Sequence, residues 1–577
     1  MESCRSLPIH VRQVPYAEDQ LSGLLTITRY IARGSDFFQS NLSSPSGAKS
    51  MSLPAPRSHS ESEAQPSTNV HTDPFRRESA DSAQSSPGGR STSSPYSLSF
   101  DDTVIPSSHA RRTLVLCFDG TGDQFDADNS NIVSFFSMLK KDDRSQQMVY
   151  YQAGIGTYTS PQIATPFMAK LAKIVDMAVA KYLDAHVMGG YEFLMQNYQA
   201  EDKICIFGFS RGAYTARALA GMIHKVGILP ACNHQQVPFA YKMFARDNEE
   251  GWKQSNAFKK AFSVDVEIEF LGVWDTVSSV GLIPKRLPFT KSNTAVRYFR
   301  HAISLDEHRA KFKANHWHLS PPHEHKLGTK RGDMPRSNQH HPHRHHHDGK
   351  MSSRHLEREY DDRITETDVL EVWFAGCHCD IGGGSVDNDT RHCLARIPLR
   401  WMIRQCFLAD TGIQFHRGGF RGTGLDPDTL YPLVRPRPPP VVLSSAAPSG
   451  QGKDAKSPSK HVLLPTDGTL VDSPQSSVLS EEEEDLHDAL SPIYDQLKLA
   501  KWWWILEIIP FQTRVQKEDR SWASTFSVNL GRGRKILKQH SAGFNVHRTV
   551  KIRMEAEAKV GKYIPKAKFK VEPNWVD

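Results

Sequence analysis

Long apolar runs are missing from this chain. No stretch reaches the eighteen or so apolar residues that a membrane-spanning helix requires. The first forty residues show no basic start followed by an apolar core and a small-residue cleavage site, so no secretory leader is expected. Cysteine is sparse, eight in 577 residues, and scattered. Cys117 and Cys205 fall inside expected buried strands, which suits reduced thiols in a cytoplasmic protein rather than a disulfide framework. Apolar residues are also few: a hydrophobic share of 38% is low for a compact globule, so part of the chain is expected to stay unfolded.

Composition divides the chain accordingly. Residues 1–110 read as a mostly disordered N-terminal region, rich from residue 40 onward in Ser, Pro, Gly, Asp and Arg. Residues 111–435 form the expected folded domain, interrupted at 313–366 by an insertion carrying the tract His340-His341-Pro342-His343-Arg344-His345-His346-His347. Residues 436–490 combine Pro and Ser with an acidic run at Glu481–Asp485 and read as a disordered linker. Residues 491–577 hold Trp502-Trp503-Trp504 and a basic tail, with 12 Lys and Arg against 4 Asp and Glu from Gly531 to Asp577. This segment is expected to pack on the folded domain. The alternative is peripheral contact with a membrane, because tryptophans beside aliphatics and basic residues suit its interface.

The most informative stretch is Gly208-Phe209-Ser210-Arg211-Gly212. An apolar run, Lys203-Ile204-Cys205-Ile206-Phe207, precedes it and reads as a buried strand. An Ala-rich helix from Ala213 to Gly221 follows it. Strand–Gly-x-Ser-x-Gly–helix holds a serine hydroxyl out over a strand end, beside the N–H groups of a helix N-terminus. Ser210 is therefore the expected nucleophile. Such a serine needs a base to take its proton and an acid to orient that base. Asp275 follows the apolar strand Glu269–Trp274, at the functional edge of a parallel sheet. For the base, His378 follows the strand Glu371–Ala375 in a glycine-rich loop and is preferred. Its competitor, His301, lies in a segment with helical spacing, where a histidine is more often a packing residue. Oxyanion donors are expected from the backbone N–H groups of Arg211, after the nucleophile, and of Gly120 and Thr121, after the strand Thr113–Phe118.

With these residues placed, Phe118-Asp119-Gly120-Thr121-Gly122, Gly208-Phe209-Ser210-Arg211-Gly212-Ala213 and Trp274-Asp275-Thr276-Val277 resemble the type VI secretion phospholipase-effector-like catalytic domain. Tyr151–Thr157, His301–Glu307 and His378-Cys379-Asp380-Ile381-Gly382-Gly383-Gly384 complete six motifs in order across roughly residues 111 to 410. The resemblance implies an α/β-hydrolase, the triad Ser210, Asp275 and His378, and lipid esters as substrates. This chain departs from the family in the long insertion between the His301 and His378 motifs, and in the cysteines flanking His378.

The strand and helix pattern independently predicts an α/β fold with a doubly wound parallel sheet and long disordered insertions, and the resemblance implies that it is α/β-hydrolase-like. Strands are expected near 113–118, 147–152, 203–207, 268–274 and 370–375, with helices near 131–140, 166–197, 211–225 and 393–408. No cofactor and no metal is expected. Cys377, Cys379, His392 and Cys393 lack the spacing of a structural zinc site, and Cys117 stands where an aspartyl phosphatase would need its first aspartate. No module for specific nucleic-acid binding is present, and protein partners are not indicated. The competing reading is a non-catalytic interaction protein on a hydrolase scaffold, suggested by the long unstructured arms. The distance between Ser210 and His378 discriminates the two.

Overall fold

The computed structural model of the chain describes residues 103–121, 123–154, 183–277, 287–290, 293, 295–318, 367–441, 479–516, 522–537, 539–556 and 562–577. Residues 1–102 of the N-terminal region, the histidine tract and most of the expected linker lie outside these residues.

Among the described residues, eight parallel strands form the central sheet: β1 Thr113–Phe118, β2 Gln147–Gln152, β3 Lys203–Phe209, β4 Ile268–Trp274, β5 Val296–Ser304, β6 Asp368–Phe374, β7 Asn545–His547 and β8 Asn574–Val576. Their spatial order is β8-β7-β6-β5-β4-β3-β1-β2. Burial on both faces explains the nearly continuous apolar runs that announce these strands. Leu114, Leu116 and Phe118 of β1, with Ile204 and Ile206 of β3, pack against α2 (Leu183–Asn197), α3 (Ser210–Val226) and α4 (Val237–Ala245). The alternate residues Val115, Cys117, Cys205, Phe207 and Phe209 pack against α1 (Asn131–Ser137) and α5 (Arg396–Leu408) on the other face. The expected helix near 166–197 is described only from Leu183.

The segment around His301 is strand β5, not a stretch of helical character. Val296, Phe299 and Ile303 carry a helix-like spacing, but both edges of this segment are taken by β4 and β6. Its buried Arg300 finds partners on neighbouring elements. Arg300 donates to Gln405 Oε1 at 2.7 Å and pairs with Asp368 at 3.0 Å. Tertiary pairing has overridden local periodicity.

The acidic run expected in the linker forms α6, Glu481–Leu490, opened by a capping box between Ser480 and Glu483. It lies against α5, whose Arg396, Arg400 and Arg404 recur every four residues. Arg396 meets Glu484 at 2.9 Å, Arg400 meets Asp485 at 2.6 Å and Asp488 at 2.7 Å, and Arg404 meets Glu481. Five glutamates and aspartates in a row look like a solvated stretch only until the matching arginines are found.

β7 and β8 come from the basic tail and extend the sheet beyond β6. The tryptophan segment is divided. Trp503 packs edge-on against Phe312 and beneath the Arg309 guanidinium, whereas Trp502 and Trp504 are 43% and 45% exposed beside exposed Leu499, Ile505 and Ile508. Among the described residues no helix is long and apolar enough to cross a membrane.

Candidate active site

The elements above bring Ser210, Asp275 and His378 together at the carboxyl ends of β3, β4 and β6. The turn from β3 into α3 requires both glycines of its motif. A Cβ on Gly208 would lie 2.5 Å from the Gly212 carbonyl oxygen, and one on Gly212 would lie 2.2 Å from the Phe118 oxygen. Ser210 sits at φ +58°, a left-handed conformation that a non-glycine residue adopts at a cost of about 1–2 kcal/mol. Asp275 is likewise left-handed, at φ +40°, and its N–H donates to the Ala302 oxygen at 2.7 Å. His378 opens a one-turn helix, His378–Gly382, after β6.

His378 Nδ1 lies 2.5 Å from Asp275 Oδ2 and Nε2 lies 2.7 Å from Ser210 Oγ. Roles follow from chemistry. An ionised carboxylate only accepts, so Nδ1–H donates to Asp275, and the free Nε2 lone pair accepts from the serine hydroxyl. Burial alone would raise the Asp275 pKa, but Arg534 and His378 outweigh it and hold the carboxyl well below the usual range. Burial pushes the His378 imidazole below its ordinary value, partly offset by Asp275. The ring is packed between Phe209, 4.8 Å away, and the edge of Phe312 at 4.9 Å. The arrangement sets an imidazole nitrogen against a serine hydroxyl in a closely packed apolar surround.

His301 occupies a different place. It is fully buried, accepts the Thr276 N–H at Nε2 (3.1 Å) and contacts Glu371 through Nδ1 (2.8 Å). It braces the loop that carries Asp275.

The donor set for an oxyanion needs one correction. The Gly120 N–H is engaged by the Asp119 carboxylate at 2.8 Å, which Ser130 and Tyr151 hold in place at 2.6 and 2.8 Å. This loop turns its own acid back on its first amide, so Gly120 has no N–H to offer. Thr121 follows, and its hydroxyl oxygen is buried without a hydrogen-bond partner among the described residues. Arg211 is the second residue of α3.

Two charged groups at the site were not foreseen as part of it. Glu307 accepts the His378 N–H at 3.3 Å and is forked by Arg309, at 3.0 Å to Oε1 and 2.8 Å to Oε2. Burial would raise the Glu307 pKa, but Arg309 brings it down to about 2. Arg534 reaches Asp275 from the basic tail, with Nη2 at 2.9 Å from Oδ2. Glu307 closes a motif legible in the sequence, whereas Arg534 is one of many basic residues in the tail, with no local signal of a buried partner. Of the residues weighed as zinc ligands, Cys377 lies 3.4 Å from the Asp306 oxygen, and His392 lies beside Glu484 and Asp488, which Arg396 pairs.

Comparison with known proteins gives the following. Residues 112–405 match the family described as T6SS phospholipase effector Tle1-like, catalytic domain. An uncharacterized protein of Saccharomyces cerevisiae is 28% identical over 554 residues, covering 78% of this chain and 81% of that protein. A crystal structure of an uncharacterized Pseudomonas aeruginosa protein aligns at 16% identity and TM-score 0.29, over 52% of this chain and 46% of that one. A structure of the Tle1 effector bound to the VgrG spike of the type 6 secretion system aligns at 17% identity and TM-score 0.23, over 48% and 51%. The chain spans about half the length of these two solved structures.

Proposed function

Since the chain belongs to the T6SS Tle1-like phospholipase effector family through its catalytic domain, we propose that it is a serine hydrolase cleaving carboxylic esters of lipids, phospholipase-like, through an acyl-enzyme. The observation that carries this reading is the continuous hydrogen-bonded chain from Ser210 through His378 to Asp275. A 2.7 Å approach of serine to histidine favours it over a non-catalytic scaffold.

In this mechanism Ser210 Oγ attacks the ester carbonyl while His378 Nε2 takes its proton, and Asp275 stabilises the imidazolium. The Arg211 and Thr121 N–H groups receive the oxyanion. His378 then gives the proton to the leaving alcohol, and water activated by the same ring hydrolyses the acyl-serine. Because His378 favours its neutral form, the acid limb of kcat/KM that its protonation produces is expected below the ordinary histidine value of about 6.5. A fluorophosphonate probe should label the purified wild-type chain at Ser210. Absence of labelling, in a preparation where a known serine hydrolase labels, overturns the mechanism.

A cytoplasmic location with peripheral membrane contact goes with this proposal. Trp502, Trp504, Leu499, Ile505 and Ile508 are exposed beside Lys498 and Lys501, and Trp503 joins them to Phe312 against the His378 ring. The double variant Trp502→Ala, Trp504→Ala leaves Trp503 in place. It is expected to lose at least about tenfold in activity on anionic vesicles while keeping turnover of a soluble short-chain ester. Added salt should weaken the wild type on vesicles. Equal loss on both substrates would show that the tryptophans serve packing alone.

A further inference from the structure

We propose that Arg534 is a positioning residue of the hydrolytic site, fixing the orientation of the Asp275 carboxylate and balancing its charge, so that the family's catalytic domain is complete only when the segment around residue 534 is seated. This rests on the serine-hydrolase reading above and adds to it a residue outside the matched span 112–405.

The geometry is specific. Arg534 is buried, and each of its three nitrogens is engaged. Nη1 donates to Asp275 Oδ1 at 2.5 Å and to the Ser304 oxygen at 3.2 Å, and Nη2 to Asp275 Oδ2 at 2.9 Å. Nε and Nη2 both reach the Phe312 oxygen, at 2.9 and 2.6 Å. A fork of this kind sets a carboxylate's direction as well as its charge, which the point charge of a lysine does not reproduce. The remaining donor to Asp275 Oδ1 is the Ser304 N–H at 2.9 Å. Asp275 therefore has no rotational freedom, and Oδ2 stays aimed at His378.

The segment itself is anchored. Gly531 donates to Glu507 Oε2 at 2.9 Å and lies 2.9 Å from His308 Nδ1 through its oxygen. A Cβ on Gly533 would lie 2.4 Å from the Lys566 oxygen. Glu507, fully buried, also accepts from Ala310 and Asn529, both at 2.5 Å, and so ties the tryptophan segment to the loop after β5.

Charges around the His378 ring then balance in pairs. Asp275 faces Arg534, and Glu307, at the ring's own backbone N–H, faces Arg309. Lys313, on the same loop, donates to Asn529. With Arg534 present, protonating His378 adds an unbalanced positive charge to a buried neutral group. Without it, protonation would neutralise an unbalanced Asp275. Removing Arg534 must therefore favour imidazolium and move the acid limb of activity to higher pH.

The test uses the full chain, with Arg534→Lys and Arg534→Met assayed on a soluble short-chain ester across pH. Arg534→Met is expected to lower kcat by about a hundredfold or more, with KM changed less than twofold and the acid limb raised by about one pH unit. Arg534→Lys, which keeps the charge but not the fork, is expected to lower kcat about tenfold with a smaller displacement of the limb. Should Arg534→Met fail to fold by circular dichroism, Arg534→Lys decides. Wild-type kcat and an unmoved limb in the folded variants overturn the proposal, as does failure of both to fold, which would make Arg534 a folding residue. Fluorophosphonate labelling of the wild type separates the two levels: an unlabelled wild type defeats the hydrolase reading, whereas a labelled wild type with indifferent variants defeats only the role of Arg534.

Discussion

Ser210→Ala is expected to lower kcat/KM on any ester this chain cleaves by about five to six orders of magnitude, leaving only what binding and the oxyanion donors provide. The loss must come without unfolding, because the side chain is small and its hydroxyl bonds only to His378 among the contacts described above. A companion variant sharpens the test. Ser210 is held at φ +58°, where alanine is as strained as serine, but glycine is not. Ser210→Gly should therefore be as inactive as Ser210→Ala and more stable than it by about 1 kcal/mol in urea denaturation. An active Ser210→Ala chain would remove the nucleophile from the mechanism altogether.

The second large effect separates two histidines. His378→Ala is expected to cost four or more orders of magnitude in kcat, by roughly the standard of a lost general base, with the fold retained. His301→Ala should cost stability instead. It leaves the Thr276 N–H without its acceptor and deprives the half-buried Glu371 carboxylate of its 2.8 Å partner, leaving His316 at 3.5 Å and the Trp317 N–H at 3.0 Å. Leaving the buried Thr276 N–H unsatisfied and removing the histidine from this pair costs about 1–3 kcal/mol. Some activity should fall with it, since Thr276 follows Asp275. An essential His301 with a dispensable His378 would reverse the assignment.

The sequence made parts of this site readable because they are local. Ser210 and Asp275 each follow an apolar strand directly, and His378 follows one within a few residues, so strand ends and short loops were enough to place them. Gly120 misled for the opposite reason. A backbone amide after a strand looks available until its neighbour Asp119 is seen to turn back and take it. β5 misled because its apolar residues recur at a helical interval while its real partners, β4 and β6, lie elsewhere in the chain. Arg534, β7 and the arginine ladder of α5 have meaning only through residues far away. A lone arginine in a basic tail and a lone acidic run each look solvated, and nothing local says which will find a buried partner.

The placement of β7 also sets a timetable for synthesis. About 170 residues separate the end of β6 from the start of β7, which at the usual pace of a ribosome is roughly 10–30 s. Throughout that interval the free edge of β6 presents unpaired amides and carbonyls to whatever strand arrives first. The nascent chain thus passes through a period in which a second copy, or a chaperone, competes for the position that its own residues 545–547 will later take.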